Sequence, residues 1–245
     1  MWDSNSSRLV NIDYNRLFAL KSTLAGRALI RMGLLSPLPP HYRSYDLRRG
    51  IPFQSNSVHA LYCSHLLEHF DREEVPGFVG DVFRVLVSGG IFRVVVPDLE
   101  GLVQRYLRVL QSAREHLEDA TLSAEYDDAM YGLFDQLVRR KPGGHVKDSV
   151  DPAKDSSAYR GYDALKKKLS RLLFDQDPAT SGELHRWMYD SYSLARLLVS
   201  HGFVDVVPMT FQESRIEQWA QYYLDSDKPE RENHPGSLYM EATKP

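Results

Sequence analysis

Cysteine is nearly absent from this chain. The single one among 245 residues, Cys63, excludes an internal disulfide and fits a reducing compartment. No apolar run approaches the roughly 20 residues that a membrane-spanning helix requires. Residues 1–7 lack the basic and apolar regions of a secretory signal, so a soluble, cytoplasmic protein with no membrane span is expected. An excess of basic charge is also missing, since 30 Lys and Arg stand against 33 Asp and Glu. Without clustered cations there is no reason to expect nucleic acid as a partner. What remains is an ordinary globular composition, 42% hydrophobic and 26% charged, long enough for one α/β domain with an insertion and a sizeable core.

The residues between 45 and 98 organise the rest. Ala60-Leu61-Tyr62-Cys63 is a short apolar run that stops at Ser64-His65, and a helix-length segment separates it from Phe92-Arg93-Val94-Val95-Val96. The second run is β-branched and nearly continuous, as in a parallel strand covered on both faces. Pro97 ends it, having no amide hydrogen for a ladder. Strand, helix and strand make a βαβ unit, with Gly89-Gly90 expected as the turn into the second strand. Ligands in such sheets sit at the carboxyl ends of strands, where this sequence places Asp46, Ser64, His65 and Asp98.

Before that unit, residues 8–13 read as a short strand ending in Asp13. Leu17, Leu20, Leu24, Ala28 and Leu29 mark a helix, and residues 42–47 a second short strand. After it, Leu99, Leu102, Val103, Tyr106, Leu107 and Leu110 repeat at three and four, and another helical stretch spans about 124–138. Residues 141–162 lack periodicity and read as a mobile loop, followed by a basic helix at about 164–174. Asp190 reads as the N-cap of a helix over 192–200 stopped by Gly202. Strands at 203–209 and 237–243 close the chain, and this final pair is expected to run antiparallel to the others.

Taken together, Tyr45-Asp46-Leu47 with Ile51-Pro52-Phe53, Ser64-His65-Leu66-Leu67-Glu68-His69, Arg84-Val85-Leu86-Val87-Ser88-Gly89-Gly90 and Val95-Val96-Pro97-Asp98-Leu99 resemble the class I S-adenosylmethionine-dependent methyltransferases. The tail, His185-Arg186-Trp187-Met188-Tyr189-Asp190, Gly202-Phe203 and Ser237 through Ala242, resembles the bacterial predicted-methyltransferase branch, of the type 11 kind. The resemblance implies one α/β domain over 1–245 with a Rossmann-like, mostly parallel sheet, an antiparallel terminal strand and a helical insertion, or lid, at about 99–183. It implies S-adenosylmethionine as cofactor and a small molecule or sugar as acceptor, through a hydroxyl, amine or carboxylate. The oligomeric state is left open. Asp13 falls where the family binds the ribose hydroxyls, Asp46 and Leu47 where it contacts adenine, and Ser64 and His65 near the methionine end.

Departures from the family are equally plain. Only twelve residues precede Asp13, none of them glycine, so the family's first strand and glycine-rich loop have no counterpart. Truncation, or loss of half the cofactor site, would account for this, and either should open the middle of the sheet. Val58-His59 and Ser88 also differ from the usual residues.

His65-Leu66-Leu67-Glu68-His69 admits several readings. Spacings of three and four would put His65, Glu68 and His69 on one helix face. His65 or His69 could be a catalytic base, because imidazole titrates near neutral pH. H-x-x-E-H is also the inverted zinc-peptidase motif, though nothing in the sequence nominates a third ligand. The segment also resembles the Glu-x-x-Glu-His of the ubiquinone-pathway O-methyltransferases, which implies a divalent metal there, but His65 replaces the first Glu where a magnesium site would prefer oxygen, so a metal is an open alternative and not the expectation. The plainest reading is that Glu68 and His69 brace the segment against the sheet. His185, Trp187 and Tyr189 could line an acceptor pocket or belong to the core, while Lys166-Lys167-Lys168 and Gly143-Gly144-His145 read as solvated helix and plain loop. Methyl transfer is the expected activity; the alternative is a non-catalytic methyltransferase-like domain that binds a partner without cofactor.

Overall fold

The computed structural model describes residues 2–3, 8–13, 20–37, 42–137, 185–228 and 231–245. At its centre β5 (Val58–Ser64) and β6 (Leu86–Pro97) run parallel, with Ser64 opposite Val95. The crossover between them carries a single 3-10 turn, Leu67–His69, and α2 (Val75–Val85), numbered after α1 below. Val75, Phe78, Val79, Val82 and Val85 are the buried face of α2, spaced by three and four as an amphipathic helix requires. On its other side β6 pairs antiparallel with β10 (Ser237–Thr243), which pairs antiparallel with β7 (Val204–Met209). The order is β5-β6-β10-β7. Because β10 alone is reversed, β7 keeps the direction of β5 and β6; the expected antiparallel pair is one antiparallel strand. Val94, Val95 and Val96 are fully buried, as their position between two strands demands.

Gly89-Gly90 is not a turn. Both glycines lie inside β6, where Val58 faces Leu86 but Ala60 already faces Ile91, so the strand carries a bulge. Gly89 has φ +77°, and a Cβ on Gly90 would stand 2.8 Å from the Val87 carbonyl oxygen. A side chain would strain the backbone at Gly89 and crowd that oxygen at Gly90.

A second, separate ladder lies at the other end. β3 (Asn11–Asp13) pairs in parallel with β4 (Tyr42–Ser44), and α1 (Leu24–Arg31), capped by Thr23, stands between them in sequence. The strand expected over 8–13 is divided, since Arg8–Leu9 (β2) turns back on Trp2–Asp3 (β1). This hairpin runs beside β5. The strand expected over 42–47 stops at Ser44, because the Asp46 carboxylate caps a 3-10 turn at Leu47–Arg49. Among the described residues no ladder joins β3 and β4 to the four-stranded sheet.

Beyond β6, α3 (Leu99–Glu115) and α4 (Ala120–Leu137) form a helical hairpin. Arg105 reaches Asp128 at 2.5 Å, and the Tyr106 and Tyr126 rings lie 6.0 Å apart. The expected loop at 141–162 and basic helix at 164–174, with Gly143, Gly144, His145 and the three lysines, lie outside the described residues. α5 (Ser191–Ser200) opens with a capping box between Asp190 and Ser193 and is followed by Gly202 at φ +90°. β8 (Ser226–Lys228) and β9 (Arg231–Glu232) form a small ladder in the last connection. No described helix is long and apolar enough to cross a membrane.

Candidate functional site

A cavity of about 420 Å3 opens between the β3–β4 ladder and the carboxyl end of β5. That is within the roughly 300–1,000 Å3 of small-molecule sites. Six of the residues singled out from the sequence, Asp13, Asp46, Leu47, Ser64, His65 and His69, line it. They arrive from separate elements. Asp13 ends β3, and its carbonyl oxygen accepts a hydrogen bond from the Tyr45 amide at 3.1 Å. Asp46 and Leu47 enter with the turn after β4, and Ser64 is the last residue of β5.

The Asp46 carboxylate is already engaged. Arg48 donates to it from Nε at 2.9 Å, from Nη2 at 3.1 Å and from its backbone amide at 3.1 Å. The Arg48 hydrogen bond holds the Asp46 carboxyl below its ordinary range. Cys63 is buried in the wall, and burial with the nearby Glu68 charge pushes its thiol well up, so it remains protonated and is no nucleophile. Tyr62 donates to Asp225 Oδ1 at 2.5 Å, and burial together with that carboxylate pushes the phenol far up.

His65 adopts φ +47°, left-handed backbone that a non-glycine residue enters at a cost. Its amide remains tied to the Val95 carbonyl oxygen at 2.9 Å. The twist turns the ring so that Nε2 lies 3.0 Å from Ser237 Oγ and Nδ1 lies 3.1 Å from Glu68 Oε1. The His234 ring stands 4.4 Å away on another side, its imidazolium disfavoured by burial and by His65. His65, Glu68 and His69 therefore do converge, but not on a helix face. Residues 67–69 make a single 3-10 turn, and His65 is outside it.

Glu68 is the centre of this cluster and is fully buried. His69 Nε2 lies 3.9 Å from its Oε1, and the His69 and His185 rings meet edge to face at 4.9 Å. The Arg186 and Trp187 amides both donate to the Glu68 carbonyl oxygen, at 2.7 and 3.3 Å, fastening the segment from His185 onto the turn. His185, Trp187 and Tyr189 do not line the cavity. Trp187 lies under the Arg72 guanidinium at 4.4 Å, and Tyr189 is core, its phenol pushed up to about 12 by burial. Asp98 is also outside the cavity; its carboxylate accepts from the Glu100 amide and caps α3. His234 and Ser237 were not anticipated. Their sequence signal is position: His234 lies just ahead of the strand that pairs with β6, and Ser237 opens that strand.

Residues 3–94 match the family model described as a methyltransferase domain. The match covers less than half of the chain, over the stretch that contains most of the motifs resembling the class I S-adenosylmethionine-dependent enzymes. No curated protein matches it. Among solved structures, a protein from Pyrococcus horikoshii OT3 is 19% identical over 41% of this chain and 44% of its own, with a TM-score of 0.28. PigF, solved with SAH, is 11% identical over 97% and 43%, with a TM-score of 0.39. A Thermotoga maritima S-adenosylmethionine-dependent methyltransferase is 11% identical over 97% and 83%, with a TM-score of 0.37. The chain spans about half or less of the length of the first of these structures.

Proposed function

We propose that this protein transfers a methyl group from S-adenosylmethionine to a hydroxyl, amine or carboxylate of a small molecule or sugar. One observation carries the reading: Asp13, Asp46, Leu47, Ser64, His65 and His69, distant in sequence, line one cavity at the carboxyl end of a parallel strand. The residues suit the cofactor's chemistry. A carboxylate at Asp13 accepts two hydrogen bonds from a ribose diol, and Leu47 offers an apolar face to an adenine ring. The cofactor supplies an activated methyl sulfonium, so the chain's own work is alignment and proton removal. With Nδ1 of His65 turned to Glu68, Nε2 is the ring nitrogen left to accept a proton from an acceptor hydroxyl, which would take the place of Ser237. The α3–α4 hairpin starts at the tip of β6 and would serve as a lid.

A second reading, a methyltransferase-like domain that binds without cofactor, draws support from a different observation. No glycine lines the cavity, and no ladder joins β3–β4 to β5 among the described residues. Calorimetric titration of the chain with S-adenosylhomocysteine separates the two. Saturable binding near one per chain supports the enzyme, and no heat at millimolar ligand supports the second reading.

A further inference from the structure

The sequence nominated no third ligand for a metal at His65-Leu66-Leu67-Glu68-His69, and the fold supplies one. Glu68, His69 and His185 each offer a ligand atom within 4.8 Å of the others. From this we infer that the three residues form a site for a divalent first-row transition metal of the zinc class.

Two independent observations converge here. The first is the donor set. Two imidazole nitrogens and one carboxylate oxygen are the ligands of three-coordinate protein sites that keep a fourth position for water or substrate, and they suit zinc better than magnesium or calcium. The second is the state of Glu68. Its side chain is 0% exposed, and neither carboxylate oxygen accepts an aligned hydrogen bond from any described group. A buried carboxylate left so is costly unless a cation compensates it. His65 at 3.1 Å is one neighbour, and a metal ion held also by His69 and His185 would compensate it in full.

The framework is built for such a role. Glu68 and His69 sit in one 3-10 turn, and the chain from His185 is fixed to that turn by the two amides bonded to the Glu68 carbonyl oxygen. A salt bridge from Arg186 to Asp71 at 2.7 Å closes the same junction. Ligands about 2.1 Å from a tetrahedral ion lie roughly 3.4 Å apart, so closure asks for side-chain rotation of about an ångström. This set is not the peptidase motif, in which both histidines of H-x-x-E-H bind the ion. Here His65 faces Ser237, and the second imidazole comes from a distant segment. His69 also lines the cavity, which places the ion beside the acceptor space. Any role in holding an acceptor oxygen rests on the methyl-transfer reading, whereas binding of the ion does not.

The test is titration of the metal-free 245-residue chain with Zn2+ in competition with a chromophoric chelator, and with Co2+ followed by its visible absorption. We expect one ion per chain and an intense, low-symmetry Co2+ spectrum. His185→Ala and Glu68→Gln should each weaken binding at least about tenfold and change that spectrum. His59→Ala, an exposed histidine on β5, should leave both unchanged. Far-UV circular dichroism checks that each variant is folded. If Glu68→Gln fails to fold, His185→Ala still decides. No saturable binding by the native chain, or equal affinity in folded His185→Ala, overturns the site. Titration with S-adenosylhomocysteine, run separately, reports on the methyl-transfer reading alone.

Discussion

Nε2 of His65 lies 3.0 Å from Oγ of Ser237, although the two are 172 residues apart in the chain. The contact exists because β10 starts opposite the end of β6, whose other neighbour, β5, ends one residue before His65. If His65 is the base, His65→Ala should lower turnover by about 10²- to 10⁴-fold, with the affinity for S-adenosylhomocysteine nearly unchanged. Steady-state kinetics beside calorimetry reads both, and an unaltered turnover removes His65 from the mechanism.

Asp13 closes the opposite wall of the cavity. If Asp13 holds the ribose, replacing it with alanine removes a charged acceptor worth about 1.5–3 kcal/mol, so S-adenosylhomocysteine should bind roughly ten- to a hundredfold more weakly. Asp13→Asn should recover part of the loss. Calorimetry on native and variant chains measures this, and equal dissociation constants would end the ribose assignment.

Arg93 is fully buried in β6 and holds two carboxylates, Asp225 at 2.7 Å and Glu241 at 2.9 Å. It also donates to the Glu213 and Thr210 carbonyl oxygens and packs on Trp219. Arg93→Met would leave Asp225 buried without its cation and Glu241 with Arg215 alone, at 3.2 Å. The expected loss is about 3–5 kcal/mol in urea unfolding. A change below about 1 kcal/mol would show that the network contributes little net stability.

Asp190 caps α5, and the backbone hydrogen bond from Ser193 holds its carboxyl below the ordinary range. Its stabilisation is therefore present above the unfolded carboxylate pKa and fades as pH falls through the lower folded value. Asp190→Ala should cost about 0.5–2 kcal/mol at neutral pH. The gap between native and variant should narrow in acid. Urea midpoints at about pH 7 and about pH 2.5 test this, since the unfolded carboxyl titrates near 3.9. A gap that does not narrow argues against the cap as the source.

Wherever local pattern alone decides structure, the sequence was readable. The Phe92 to Val96 run had to be a covered strand, and Asp190 had to start a helix. That Asp13 and Ser64 line one cavity was legible for a related reason, since strand ends can be read locally. Three things escaped. Gly89-Gly90 carries the same signal for a turn and for a bulge, and only the register against β5 distinguishes them. Spacing by three and four says which residues share a helix face, but it cannot say that His65 leaves the helical region of backbone space. The approach of His185 to Glu68 is set by amide bonds across the fold, which leave no trace in the residues adjoining either.

The cavity has walls that belong to two ladders with no ladder hydrogen bonds between them among the described residues. A bound ligand reaching from Asp13 to His65 would therefore act as a tie across a seam. Some of its binding free energy would go into stilling the β3–β4 wall, so affinity would understate the contacts made. Thermal stability should then rise with ligand concentration as mass action requires, and most of the added protection from hydrogen exchange should fall on the smaller ladder.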